Sequence, residues 1–96
     1  MFLLKFTATF ISHREKVIGT NEVVNKRLRA SLQKLALNPH HSSLKTHKAN
    51  TKNYGEKWSS WTTGDIRIIW DYDTENRLVI ILLDIGKHSG THKVYK

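Results

Sequence analysis

A chain of 96 residues has room for one core and one domain, taken here as residues 1–96. Its lack of cysteine excludes disulfide staples and thiolate zinc sites. Phe2-Leu3-Leu4, followed at once by Lys5, is too short for a signal-peptide core or a membrane span, so a soluble, cytoplasmic protein with no membrane partner is expected. The formal charge of +8 is unevenly placed: residues 1 to 55 hold ten Lys/Arg against Glu15 and Glu22, while residues 56 to 96 hold six bases and six acids. Lys26, Arg27, Arg29, Lys34, Lys45, Lys48 and Lys52 meet no acid before Glu56. That run points to a polyanion partner, either nucleic acid or an acidic protein.

The elements follow from changes of hydrophobic period. Phe2, Leu4, Phe6 and Ala8 alternate with Leu3, Lys5 and Thr7, which predicts a first strand with one better-buried face. Phe10 and Val17, or Ile11 and Ile18, recur two turns apart and predict a short helix over 10–18, stopped by Gly19. Thr20 or Asn21 can cap a second helix, with Glu22 in its first turn and Val24, Leu28, Leu32 and Leu35 as its core stripe, until Asn38-Pro39 ends it. Most of its basic residues fall off that stripe, so its outer face should be cationic.

Residues 39–57 have no sustained period and read as a long loop, of the kind that in compact domains is usually functional or mobile. A strand is expected over 58–62. A second follows, in which Ile66, Ile68, Trp70 and Tyr72 alternate with Arg67, Ile69 and Asp71. After a turn in Asp73-Thr74-Glu75-Asn76, residues 78–85 are apolar except for Asp84, as expected of a strand buried on both faces. Val94 and Tyr95 suggest a short final strand.

Beyond that apolar run lie His88, His92, Lys87, Lys93, Lys96 and Tyr95, with no acid among them. Imidazole can move a proton near neutral pH, lysine can meet phosphate, and a tyrosine ring can stack on a base, so an RNA-cleaving site could be assembled from such groups.

The order strand, helix, helix, then Gly64-Asp65-Ile66-Arg67-Ile68-Ile69-Trp70, an acidic turn, an apolar strand and Ile85-Gly86-Lys87-His88 closing in Val94-Tyr95 resembles the RelE/ParE toxin superfamily of toxin–antitoxin modules, in its RelE and YafQ branches. The resemblance covers nearly the whole chain and is strongest from Trp58 to Tyr95. It implies an α+β domain with two N-terminal helices packed on a small antiparallel sheet. It also implies a metal-independent endoribonuclease, an mRNA interferase that cuts messages in the ribosomal A site and is inhibited by an acidic antitoxin. In the implied chemistry a ribose 2′-hydroxyl attacks the adjacent phosphate. A base takes its proton, an acid protonates the leaving 5′ oxygen, and cations stabilise the phosphorane.

The resemblance assigns His88 to proton transfer, Arg67 to phosphate through its two-pronged guanidinium, and Tyr95 to stacking or proton transfer. Asp65 and His47 match acidic and imidazole positions of the YafQ branch, with His41 a second choice for the latter, and His92 is a further catalytic imidazole or a surface group. The plain alternatives are an Arg67 salt bridge to Asp71 or Asp84, a solvated His88, a Tyr95 packed in the core, and an Asp65 that merely forms the turn before its strand. Lys26, Arg27, Arg29, Lys45, Lys48, Lys52, Lys57, Lys87 and Lys93 are the expected contacts to messenger and small-subunit ribosomal RNA.

The chain departs from the pattern where Trp61 stands in place of a YafQ-branch histidine and where Ser59 and Ser60 follow Lys57 and Trp58 in place of the lysines of RelE. His88 and His92 are four apart, but Gly90 between them disfavours a helix and no third ligand accompanies them, so neither metal nor cofactor is expected. Within the superfamily the alternative is a ParE-like gyrase poison. Outside it the alternative is an inactive module that binds RNA or antitoxin.

Overall fold

A computed structural model describes all residues, Met1–Lys96. In chain order the elements are β1 (Leu3–Phe6), α1 (Ala8–Val17), α2 (Glu22–Leu37), a 3-10 turn (Ser42–Leu44), β2 (His47–Thr51), β3 (Gly55–Trp61), β4 (Ile66–Tyr72) and β5 (Val79–Lys87). The strands form one five-stranded sheet in the order β1-β5-β4-β3-β2.

Both helices begin on side-chain caps. Thr7 accepts from the Phe10 amide at 3.2 Å. Its hydroxyl also donates to the Leu82 carbonyl at 2.8 Å, which anchors the start of α1 to β5. Gly19 ends α1 in the left-handed region at φ 56°, which glycine adopts without Cβ strain. Asn21 caps α2 by accepting from the Val24 amide. The buried Asn25 ties the two helices together, accepting from Arg14 Nη2 at 2.7 Å and donating to the Gly19 carbonyl at 3.0 Å.

Leu28 and Leu35 on α2, Phe10 on α1 and Leu44 on the 3-10 turn pack with Ile66, Ile68, Trp70, Ile80, Leu82 and Ile85 of the sheet. Val24 and Leu32, the rest of the expected stripe, are half-buried against the same cluster. The helices therefore cover the face that carries Ile66, Ile68 and Trp70. Arg67 and Ile69, which alternate with these residues, belong to the opposite face.

The α+β architecture with two helices on a sheet is as expected, but the sheet is mixed. β1 pairs parallel to β5, from Leu3 with Val79 to Phe6 with Leu82. Only strands joined by short turns are obliged to be antiparallel; β1 is separated from β5 by both helices and the other strands. The expected loop over 39–57 holds the 3-10 turn and β2. His47-Lys48-Ala49-Asn50-Thr51 has no apolar alternation because it is an edge strand held by its backbone ladder to β3. β4, rather than β5, is buried on both faces over Ile66–Trp70. Val94 and Tyr95 make no strand; the closing segment has only isolated bridges, of Lys93 with Lys87 and of Tyr95 with Thr51.

A register shift lies between β4 and β5. Ile69 pairs with Asp84 and Trp70 with Leu82, which leaves Leu83 without an opposite partner. Leu82 and Ile85, three apart, can then both join the core. The same irregularity re-aims Asp84, as bulges do beside functional sites.

Candidate functional site

The face of the sheet away from the helices is crossed by lines of residues set by the ladder register. Trp61, Arg67 and Gly86 form one line, and His47, Ser59, Ile69 and Asp84 the next. The C-terminal segment folds back over this face. The Lys87 amide donates to the His92 carbonyl at 2.7 Å, the Val94 amide to the Lys87 carbonyl at 3.0 Å, and the Lys52 amide to the Val94 carbonyl at 2.8 Å. Gly86 permits this return, because a Cβ there would overlap the His92 carbonyl oxygen and Val94 Cγ1. Gly90 turns the segment at φ 87°.

The return brings sequence-distant groups together. The exposed His88 sets its ring edge-on to Tyr95, with centroids 5.4 Å apart and planes at 81°. Tyr95 Oη lies 2.6 Å from Ser59 Oγ, and Ser59 is fully buried. The His88 amide donates to the Asp65 carbonyl at 2.7 Å, and Lys87 Nζ lies 4.0 Å from the exposed Asp65 carboxylate. His47 is exposed on β2, opposite Ser59, and its Nδ1–H donates to the Lys45 carbonyl at 2.9 Å. His88, Tyr95, Asp65 and His47 thus gather on or around one face. Ser59 joins them, although the sequence presents it only as a departure from a lysine pattern. Ser60 is spent in the core, where it accepts from Trp70 Nε1 at 2.8 Å and contacts Thr46 Oγ1 at 2.7 Å.

Arg67 sits on this face but is 3% exposed. Its Nη1 donates to the Thr63 and Ile66 carbonyls and its Nη2 to the Gly64 carbonyl, while Nε is buried without a partner. The guanidinium lies 4.1 Å from the Trp61 ring centroid, and Lys45 Nζ lies 5.0 Å from the same centroid. The alternative of an ion pair to Asp71 or Asp84 is not what the structure shows: Asp71 pairs with Lys57 at 3.2 Å and Asp84 with His13 at 2.6 Å. Arg67 instead holds the β3–β4 turn and Trp61 in place. The short-range arginine–carbonyl contacts that do this carry no sequence signal.

The expected RNA contacts divide among surfaces. Lys26, Arg27 and Arg29 are exposed on α2, on the side of the sheet opposite Tyr95. Lys48 lies 4.7 Å from the Trp58 ring centroid, beside the aromatic cluster of His40, Trp58, Trp70 and Tyr72. Burial pushes the Tyr72 phenol above its ordinary value of 10.0; the Arg77 guanidinium opposes this and Asp71 adds to it. Lys52, His92 and Lys93 line a separate cleft of about 210 Å3 together with Lys16, His13 and Asp84. His13 and Asp84 are 71 residues apart, so no local pattern in the sequence marks them as a pair.

No protein-family model and no curated protein matches the chain. Solved structures do match. A toxin from Helicobacter pylori described as metal-bound superposes with a TM-score of 0.70 at 15% identity, over 92% of this chain and 96% of its own. A YoeB/ParE toxin from Agrobacterium tumefaciens gives 0.68 at 12%, over 92% and 100%. The DinJ–YafQ complex of E. coli gives 0.63 at 14%, over 92% and 94%. The chain has the RelE/YafQ-like toxin fold. In this chain the parallel β1–β5 pair and the α1–α2 layer leave one sheet face free of helices, and the C-terminal segment closes over it. Among its residues no group of three or more His, Cys, Asp or Glu is placed to hold a metal ion, and no helix is long and apolar enough to cross a membrane.

Proposed function

We propose that this RelE/YafQ-like chain is the toxin of a toxin–antitoxin module, a ribosome-dependent endoribonuclease that cleaves messenger RNA in the cytoplasm and is silenced by an acidic antitoxin. The observation that carries the reading is the convergence of His88, Tyr95 and Ser59 on the free sheet face of a chain with a formal charge of +8. The DinJ–YafQ complex, a toxin of the same fold with its partner, supports the antitoxin.

The exposed His88 imidazole accepts or delivers a proton beside the scissile phosphate. Tyr95, fixed by Ser59, offers its ring to a nucleobase. Lys87 and Lys45 meet phosphate charge. Attack by the 2′-oxygen forms the bond to phosphorus, the 2′ proton passes to a base, and the 5′ oxygen leaves with a proton from an acid. A cyclic phosphate and a 5′-hydroxyl remain, with no metal or cofactor in the scheme.

The test is to induce the chain in growing cells and map the 5′ ends of messages. Cuts at codon positions within translated frames are expected, and His88→Ala should reduce them on the order of a hundredfold without lowering the melting temperature, because the ring is exposed. Gyrase-linked DNA breaks with intact messages would place the chain with the gyrase poisons instead. Co-expression of a neighbouring acidic reading frame should restore growth and yield a co-purifying complex.

A further inference from the structure

The cleft of about 210 Å3 between the end of α1, the β2–β3 turn and the C-terminal segment is built differently from the His88 face. His13 Nδ1 lies 2.6 Å from Asp84 Oδ1, and Asp84 is 4% exposed. The same carboxylate oxygen accepts from the Ile85 amide at 2.8 Å. With Nδ1 engaged, His13 keeps Nε2 free of any partner within the protein, and its side chain remains 36% exposed. A carboxylate that orients one imidazole nitrogen leaves the other poised toward a ligand.

The remaining charged groups of the cleft are all basic. Lys16 comes from α1, Lys52 from the β2–β3 turn, and His92 and Lys93 from the C-terminal segment, with Asn53 and Thr91 as neutral donors. Asp84 is the single acid in the lining and is already paired with His13. Even with both imidazoles neutral, the cleft carries an excess of positive charge. Small anions are its natural ligands, and phosphate suits ammonium and imidazole donors arranged around a confined space.

We propose that this cleft is a second phosphate site, which takes a phosphodiester group of the bound RNA strand through His13 Nε2, Lys16, Lys52 and Lys93. The identity of the strand rests on the nuclease reading above; the affinity for phosphate does not. RNA is favoured over an acidic peptide because the cleft is small and adjoins, through the 91–94 segment, the Tyr95 that closes the His88 face.

Donation from Nε2 while Nδ1 also donates to Asp84 requires His13 to be protonated. The charged groups around that imidazole are Asp84 from β5, Lys16 from α1, Lys52 from the β2–β3 turn, and His92 and Lys93 from the C-terminal segment.

The experiment follows imidazole and backbone resonances of the whole chain by NMR while inorganic phosphate, a short 2′-O-methyl oligoribonucleotide and polyglutamate are titrated separately. Phosphate and the oligonucleotide should shift His13, His92 and Lys52. His13→Gln, whose side-chain amide can still donate to Asp84, should weaken both by about tenfold, and Lys52→Gln should act in the same direction. Unshifted His13, equal affinity in the variants, or preference for polyglutamate over the oligonucleotide would each overturn the proposal. Message cleavage in cells without phosphate binding here would leave the nuclease reading standing and this one fallen, and phosphate binding without cleavage would do the reverse.

Discussion

Gly86→Ala is the sharpest perturbation of the site, because it adds one methyl group where the C-terminal segment crosses the sheet. The new Cβ would overlap the His92 carbonyl oxygen, a backbone atom that cannot rotate away, and Val94 Cγ1. The segment must therefore lift. Lifting breaks the backbone bonds from Lys87 to His92, from Val94 to Lys87 and from Lys52 to Val94, and uncovers Val94, which is 5% exposed. Three hydrogen bonds at about 1 kcal/mol each and a buried valine at about 2 kcal/mol give a gross loss of about 5 kcal/mol. The freed residues regain conformational entropy, so the net cost should fall to the 1–3 kcal/mol or so usual for overpacking. In a domain of this size each kcal/mol lowers the melting temperature by about 4–8 °C. The core of Leu28, Leu35, Ile68, Trp70 and Leu82 does not depend on these contacts and should stay folded. A thermal melt measures the loss. Amide exchange should show the Val94, Lys87 and Lys52 amides unprotected while those of β4 remain protected, and message cleavage should fall with the displaced Tyr95. An unchanged melting temperature with a protected Val94 amide would refute the packing argument.

Arg67→Ala should destabilise by about 2–4 kcal/mol, since it leaves the Thr63 and Gly64 carbonyls without their side-chain donor and unbraces Trp61; Arg67→Lys should recover little of this in a denaturant melt, because an ammonium cannot reproduce the forked contacts. The raised Tyr72 phenol favours the protonated folded state, so its contribution is complete below the unfolded value near 10.0 and is lost as pH climbs through the higher folded value. Alkaline melts should show that decline, and Tyr72→Phe should flatten it. Neutralising Lys26, Arg27 and Arg29 together, all exposed on α2, should weaken ribosome association and flatten its salt dependence while leaving the melting temperature unchanged; binding that keeps its full salt slope would remove that face from the interaction.

Local pattern settled the parts of this protein whose determinants lie within a turn or two of one another. The α2 helix could be read from the Val24-Leu28-Leu32-Leu35 stripe, the Asn21 cap and the Asn38-Pro39 stop. β4 could be read from strict alternation, and the chemistry of the closing segment from its imidazoles, lysines and tyrosine. Tertiary structure decided the rest. Whether β1 joins β5 parallel depends on a crossover that no local period records, and β2 is a strand only because β3 supplies its ladder. Arg67 looks like a free phosphate ligand in sequence. Burial and three carbonyls make it a brace instead, because a guanidinium taken from water binds whatever acceptors surround it. Ser59 meets Tyr95, and Asp84 meets His13, across 36 and 71 residues. Those pairs exist because the β4–β5 register shift and the return of the chain over Gly86 bring their backbones together, and register and return are properties of the whole packed sheet.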